Sequence, residues 1–299
     1  MASSYVVSDN VMKNKVIFII GATGTGKSRL SIDLAIRFPS ERPCDSFSGL
    51  DIVSNKVPIS ERLGVTHHLL GQVEQDVDYS SVDFCRDTIA ITETILKSNR
   101  VPIIVGGSNS FLEALVEDSV NNFKSCYERF FIWMDVSFPV LDSYVSKRVD
   151  QMIDAGLVDE VREIFDKKAD YNRGVRRAIG VPEMHEYFLS EAKLDKTSKD
   201  SLLASSIGKI KENTCALTRS QVQKILRLRD EIGWDIHRFD ATSVLEKIGE
   251  EANRAWNDVV LQPCTELVTQ FLTKEKKDAI VQQELTINNM SLWIASQKF

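Results

Sequence analysis

The chain has 299 residues, 43% of them hydrophobic and 27% charged, with a formal net charge of −6. This is an ordinary globular composition, apolar enough for a sizeable core and sized for about one to two domains. It excludes a global basic field of the kind that draws nucleic acid, and no apolar run is long enough to span a bilayer.

Residues 1–13 contain small hydroxylated residues, as a plastid transit peptide does, but also Asp9 and no arginine. Only about a dozen residues precede the first predicted strand, too few for a cleavable address. A cytoplasmic location is therefore expected, with the plastid as the alternative. The first strand is the apolar run Val16-Ile17-Phe18-Ile19-Ile20, which suits a strand buried on both faces of a parallel sheet. A helix follows to about Phe38 and stops at Pro39. Residues 40–49 contain Pro43 and small polar side chains, which argues for loop. Leu50-Asp51-Ile52-Val53 is then the only strand-like remnant where a second strand belongs.

Ser80 and Ser81 are candidate N-caps for a helix running to about Ser98. Val101-Pro102-Ile103-Ile104-Val105 reads as a buried strand ending in the Gly106-Gly107 turn, after which Ser108-Asn109-Ser110 opens a short helix. Residues 130–136 form a further strand, rich in aromatic side chains. Strand and helix alternate, which implies a parallel sheet flanked by helices. After Pro139 the pattern becomes helical, with a break at Gly156. One or two long helices are expected over residues 197–229, with a core stripe at Ile207, Ile210, Leu217, Ile225 and Leu228. Phe239-Asp240-Ala241-Thr242 resembles a last strand with a helix cap, and residues 244–260 another helix. The predicted organisation is an α/β core over 14–138, a mostly helical lobe over 139–235, a return to the core over 236–273 and a peripheral tail over 274–299.

Five scattered cysteines (Cys44, Cys85, Cys126, Cys215, Cys264) form no C-x-x-C pair, which favours reduced thiols. Tandem His67-His68 has no carboxylate or thiol at ligand spacing, so packing rather than metal binding is expected of it. The strongest chemical signal is Gly21-Ala22-Thr23-Gly24-Thr25-Gly26-Lys27-Ser28, the pattern G-x-x-x-x-G-K-[ST] set between strand and helix. Its glycines let backbone N–H groups converge on phosphate oxygens, and the following helix adds the positive end of its dipole. Lys27 is placed to reach a phosphate, and the Ser28 hydroxyl to enter a Mg²⁺ shell. A P-loop kinase is one function that fits, with Asp135 as the metal carboxylate and Arg173, Arg176 and Arg177 as a lid.

A second reading rests on several motifs in order. They are Gly21 to Ser28, Gly49-Leu50-Asp51-Ile52, Asn55-Lys56, His67-His68-Leu69-Leu70-Gly71, Asp78-Tyr79-Ser80 and Gly106-Gly107-Ser108-Asn109-Ser110. Phe131-Ile132-Trp133, Arg148-Val149-Asp150, Arg177-Ala178-Ile179-Gly180-Val181-Pro182-Glu183, Asn213-Thr214-Cys215 and Asp240-Ala241-Thr242 follow. Together they resemble the isopentenyltransferase family, most nearly the plant adenylate isopentenyltransferases, over residues 16–272. The resemblance implies a P-loop NTPase-like fold and transfer of a dimethylallyl group from its diphosphate to N6 of ATP or ADP. It also implies Mg²⁺ as cofactor. The loop then holds the donor diphosphate and stabilises the charge that develops as the allylic C–O bond breaks.

By position in the motifs, Thr23 would bond the bridging oxygen, while Lys27, Ser108 and Arg148 would contact the diphosphate. Arg177, Lys211, Arg219 and Gln221 are implied as substrate-binding by the same resemblance. A free nucleotide is expected rather than tRNA, given the acidic charge and the lack of a C-terminal zinc-finger pattern. A monomer without membrane attachment is expected. One departure stands out. The family strand ends in Asn-Ser-Asp-Lys, followed by Gln-Val-Tyr-Lys, and its aspartate acts on the N6 amine as general base. Here the segment before Gly49 is shorter, and Asp45 is the nearest aspartate. Either Asp45 is that base in a rebuilt loop, or the chain is a catalytically impaired family member.

Overall fold

The computed structural model describes residues 14–38, 40–43, 51–54, 56–70, 77–168 and 170–273. Its central strand β1 (Asn14–Gly21) has residues 16 to 20 completely buried, as expected of a β-branched and aromatic run covered on both faces. α1 (Lys27–Arg37) follows the glycine loop, then β2 (Ser40–Pro43) and β3 (His67–His68). α2 (Ser81–Lys97) leads into β4 (Val101–Val105), and α3 (Asn109–Glu117) and α4 (Phe123–Cys126) into β5 (Tyr127–Asp135). α2 begins in a capping box in which Ser80 and Asp83 satisfy each other's backbone N–H groups. All strand pairings are parallel, in the order β3-β2-β4-β1-β5-β6, with β6 (Ile236–Asp240) on the far edge.

β2 corrects the expectation of loop over residues 40–43 and of a strand-like stretch at 51–53, while residues 44–50 lie outside the described residues. Ser40 and Glu41 pair with Val101 and Pro102, and Arg42 and Pro43 with His67 and His68. Residues 51–54 are a turn. The segment has no apolar run of its own and is a strand because β4 and β3 flank it, while Pro43 sits at its very end.

The helical part is α5 (Phe138–Asp154), α6 (Leu157–Glu163), α7 (His185–Ser190) and the 35-residue α8 (Lys196–Asp230). Gly156 sits between α5 and α6 with a left-handed φ of 104°. The buried positions of α8 include Ile210, Thr214, Thr218, Val222 and Ile225. Thr214 and Thr218 donate their hydroxyls to the carbonyls of Ile210 and Cys215, so both can be buried. This stripe passes Leu217 by, which is 39% exposed rather than part of the expected core line.

Two apolar clusters result. The larger surrounds the sheet; the smaller joins Val53, Val149, Leu157, Val161, Val181 and Ile210 with their neighbours. α5 and α8 each run from one cluster into the other. The helix expected over 244–260 is divided into α9 (Thr242–Leu245) and α10 (Gly249–Trp256), which passes through a π turn at Asn257–Leu261 and continues helical to residue 273.

Candidate active site

The loop from β1 to α1 is shaped by its glycines and closed by its own carbonyl. Gly26 has a left-handed φ of 89° at the N-cap of α1, and a Cβ there would lie 3.0 Å from the Trp256 ring. Trp256, bonded through Nε1 to Asp33 at 2.8 Å, therefore supports the loop from beneath. The Ala22 carbonyl accepts both the Thr25 hydroxyl at 2.9 Å and the Lys27 ammonium at 2.7 Å. The N–H groups that open α1 point toward the loop's concave side, as at any helix start, and make it an anion site.

Two residues reach Thr23 from the helices. Arg148 on α5 donates through Nη2 to the Thr23 hydroxyl at 3.0 Å. Gln221 on α8 accepts the Thr23 N–H at 2.8 Å. Burial pushes the Arg148 guanidinium pKa below its ordinary value, and its buried Nε has no hydrogen-bond partner among the described residues. A half-buried cation with a buried, unsatisfied donor beside a phosphate loop is the counterpart of an anion. Ser108 occupies the N-cap position of α3, but its side chain makes no capping bond and lines the cavity.

The cavity over the loop measures about 580 Å³ and takes Thr23, Lys27, Ser28, Lys56, Ser108, Arg148 and Gln221 into its wall. A second cavity of about 820 Å³ shares Ser28, Lys56, Glu61 and Arg148 with the first and adds the apolar Ile52, Pro58, Ile59 and Met152. Lys56 pairs with Asp51 at 2.7 Å. The turn that carries these residues is held by Glu160 of α6, which accepts the N–H groups of Ile52 at 2.9 Å and Val53 at 2.8 Å.

The remaining expected site residues lie elsewhere. Lys211 pairs with Asp150 at 2.6 Å. Arg219 pairs with Asp142 at 2.5 Å and covers the Phe138 ring. Arg177 ends the 3₁₀ turn Gly174–Arg177, near Asp78. None of the three lines either cavity. Asp45 falls outside the described residues, as does the tail from residue 274.

Asp135 accepts from Arg238 at 2.7 Å and lines neither cavity, so this candidate for a kinase's metal carboxylate is engaged away from the loop. Arg173 bonds Asp78 at 3.1 Å, and Arg176 donates to the Ile164 carbonyl, so both lid candidates are engaged away from the loop. His67 contacts the Val65 carbonyl through Nδ1 at 2.7 Å and borders the cavity. Among the described residues no three His, Cys, Asp or Glu side chains come together to hold a metal. Lys56, Tyr144, Gln151 and Glu160 were not expected at the site. Tyr144, Arg148 and Gln151 have the i, i+4, i+7 spacing of one helix face, a signal available in the sequence.

A family model described as IPP transferase matches residues 46–129 and 119–225. Adenylate isopentenyltransferase 5, chloroplastic, of Arabidopsis thaliana is 52% identical over 268 residues, covering 87% of this chain and 81% of that protein. Adenylate isopentenyltransferase 7, mitochondrial, of the same plant is 45% identical over 265 residues, with coverage of 87% and 80%. Its tRNA dimethylallyltransferase 2 is more distant, at 30% over 381 residues, covering 88% and 81%. Among solved structures, a eukaryotic dimethylallyltransferase acting on tRNA superposes with a TM-score of 0.72 at 22% identity, covering 87% of this chain and 80% of that one. The full-length tRNA isopentenylpyrophosphate transferase from Bacillus halodurans gives 0.70 at 20%, covering 89% and 99%. At these identities the structures establish the fold.

Proposed function

The chain belongs to the IPP transferase family, and from that membership and the chemistry of the cavity we propose that it is an adenylate isopentenyltransferase. It transfers the dimethylallyl group of dimethylallyl diphosphate to N6 of ATP or ADP and releases diphosphate, a first step in cytokinin synthesis. The observation that carries this reading is Arg148, which crosses from α5 to the Thr23 hydroxyl and keeps a buried Nε without a partner among the described residues.

The diphosphate would lie across the loop N–H groups, between Lys27 and Arg148, with Ser108 on the facing wall. As the allylic C–O bond breaks, negative charge gathers on the leaving oxygens, where these donors are already oriented. The Thr23 hydroxyl, held by Arg148, would donate its own hydrogen to the oxygen that joins carbon to phosphorus. Ser28 borders both cavities and offers an oxygen donor, which suits magnesium bound mainly through diphosphate oxygens and water. When bound, magnesium would add positive charge to the same leaving group.

The proton released as N6 forms its bond to carbon needs a base, and Asp45 is the residue we assign. β2 ends at Pro43, two positions before Asp45, and lies beside β4, whose own end leads to Gly106 and Ser108. A strand leading into this aspartate is what the family pattern has; the residues missing relative to that pattern come after it. The names of the relatives carry chloroplastic and mitochondrial, which supports the plastid alternative over the cytoplasm. No helix of the described residues is long and apolar enough to cross a membrane.

The test is product analysis after incubation with ATP or ADP, dimethylallyl diphosphate and magnesium. A prenylated nucleotide with its phosphates intact is expected, and a phosphorylated small molecule in its place sinks the proposal. Asp45→Asn is expected to lower the turnover number by about 10²-fold, the usual scale of a general base. Activity near the parent level would remove Asp45 from the mechanism. Nucleotide binding without product from any donor would identify an impaired family member.

A further inference from the structure

Gln221 enters the cavity between the two glycine turns, and its amide is bonded at both ends. Oε1 accepts the Thr23 N–H at 2.8 Å, and Nε2 donates to the Gly107 carbonyl at 3.1 Å. The approach to Gly107 is so close that a Cβ there would lie 2.8 Å from Nε2. The main-chain carbonyl of Gln221 in turn accepts from Nδ2 of the buried Asn109 at 3.0 Å. One flank of the amide requires an acceptor and the other a donor, so the carboxamide has a single satisfied orientation.

A phosphate loop works through its N–H groups, and in this one the third residue no longer offers its own. Thr23 gives its N–H to a neutral side chain, while its hydroxyl already accepts from Arg148. A diphosphate seated over the start of α1 has the N–H groups of Gly24 and Gly26 at hand, while that of Thr25 turns back to the Ala22 carbonyl. A third phosphoryl group would extend toward the first half of the loop, where it meets a capped donor and an amide filling the space beside it.

We propose that Gln221 is a specificity-determining residue that limits the loop to two phosphates. The proposal rests on the reading of the loop as the donor diphosphate site. It answers a problem raised by that reaction: donor and acceptor both carry polyphosphates, and the triphosphate of ATP must not occupy the place of the donor. Capping one N–H with a neutral amide excludes the longer chain without weakening the shorter one.

The experiment is calorimetric titration with inorganic diphosphate and with tripolyphosphate, at one magnesium concentration, on the parent protein and on Gln221→Ala. The parent binds diphosphate more tightly. The variant, which uncovers the Thr23 N–H and opens the space, shifts the ratio of the two dissociation constants toward tripolyphosphate by about tenfold, the scale of a charge-assisted hydrogen bond. An unchanged ratio, equal weakening of both ligands, or a parent without preference overturns the proposal. A second measurement needs no variant: on adding diphosphate to the ¹⁵N-labelled parent, the Thr23 amide resonance moves less than those of Gly24 and Gly26. A Thr23 shift as large as theirs is equally fatal. Neither readout requires turnover, so absence of prenylated product with the diphosphate preference intact would count against the proposed function alone.

Discussion

The two ends of the cavity are built by different means. The phosphate end hangs on the central sheet: β1 delivers the loop, β4 delivers Gly106 and Ser108, and α5 and α8 clamp Thr23. Its geometry follows from strand register and from a core buried on both sheet faces. The opposite end, residues 51–54 and 56–62, has no strand or α-helix among these described residues. It is held by the Glu160 carboxylate on two backbone N–H groups and by Val53 buried in the smaller cluster. One end inherits rigidity from the sheet, while the other depends on a few long-range bonds. Changes at the first should alter chemistry without loosening the fold, and changes at the second should alter binding of one substrate through the position of the turn.

Arg148 gives the largest expected effect and the sharpest test of that contrast. Loss of a preorganised cation at a developing charge costs on the order of 10²- to 10³-fold in rate, so Arg148→Met should lower kcat/KM for the donor by that factor. The same substitution removes a half-buried guanidinium that bonds Thr23 through Nη2 but whose buried Nε has no partner among the described residues. Breaking a well-satisfied structural ion pair lowers a melting temperature, but removing an unsatisfied buried charge does not. The variant should therefore melt no lower than the parent. A melting temperature that drops by several degrees would make Arg148 a structural residue and erase the distinction between the two ends.

Glu160→Gln probes the other end with a smaller effect. The carboxylate accepts two N–H groups, and an amide retains one acceptor oxygen while turning an NH₂ group toward the other donor. An unsatisfied buried donor costs about 1–3 kcal/mol. With the acceptor nucleotide placed in the second cavity, which this turn walls, its KM should rise about tenfold, with the donor KM within about twofold of the parent. Equal changes in both constants would mean that the turn and the loop move as one body.

What the sequence made legible divides along the same line. β1, β4 and β5 are continuous apolar runs, and the loop motif between β1 and α1 is explicit, so the sheet-built end was readable from residues 16–28 and 101–108 alone. Residues 40–43 were not, because Ser-Glu-Arg-Pro has no apolar signal and owes its strand conformation to neighbours distant in sequence. The stripe on α8 was misplaced at Leu217 since two of the true core positions are threonines, buried at little cost once their hydroxyls bond the helix carbonyls. Glu160 was missed for a related reason. A glutamate on a surface-like helix resembles any other until the turn it caps is brought against it. Resemblance supplied Arg148, Ser108 and Gln221, which border the cavity, and also Arg177, Lys211 and Arg219, which do not. Lys211 and Arg219 instead face Asp150 and Asp142, where α8 packs along α5.

The smallest effect is expected at the segment before α2. Asp78 accepts the Gly174 N–H at 2.9 Å and Arg173 Nε at 3.1 Å, tying residues 77–80 to the 3₁₀ turn Gly174–Arg177. The Gly174 N–H first, and then Arg173, hold the Asp78 carboxyl below the ordinary carboxylate value. A carboxylate with a depressed folded-state value contributes stability above its unfolded pKa, near 4, and loses it as the pH falls through the folded one. Asp78→Asn should consequently lower the melting temperature slightly at pH 7 and have no effect at a pH low enough to protonate the parent. Because the pair is exposed and screened, added salt should shrink the pH 7 difference further. A difference that persists in acid would mean that the aspartate acts through shape, as an acceptor for Gly174, and that charge has no part in joining the two regions at this point.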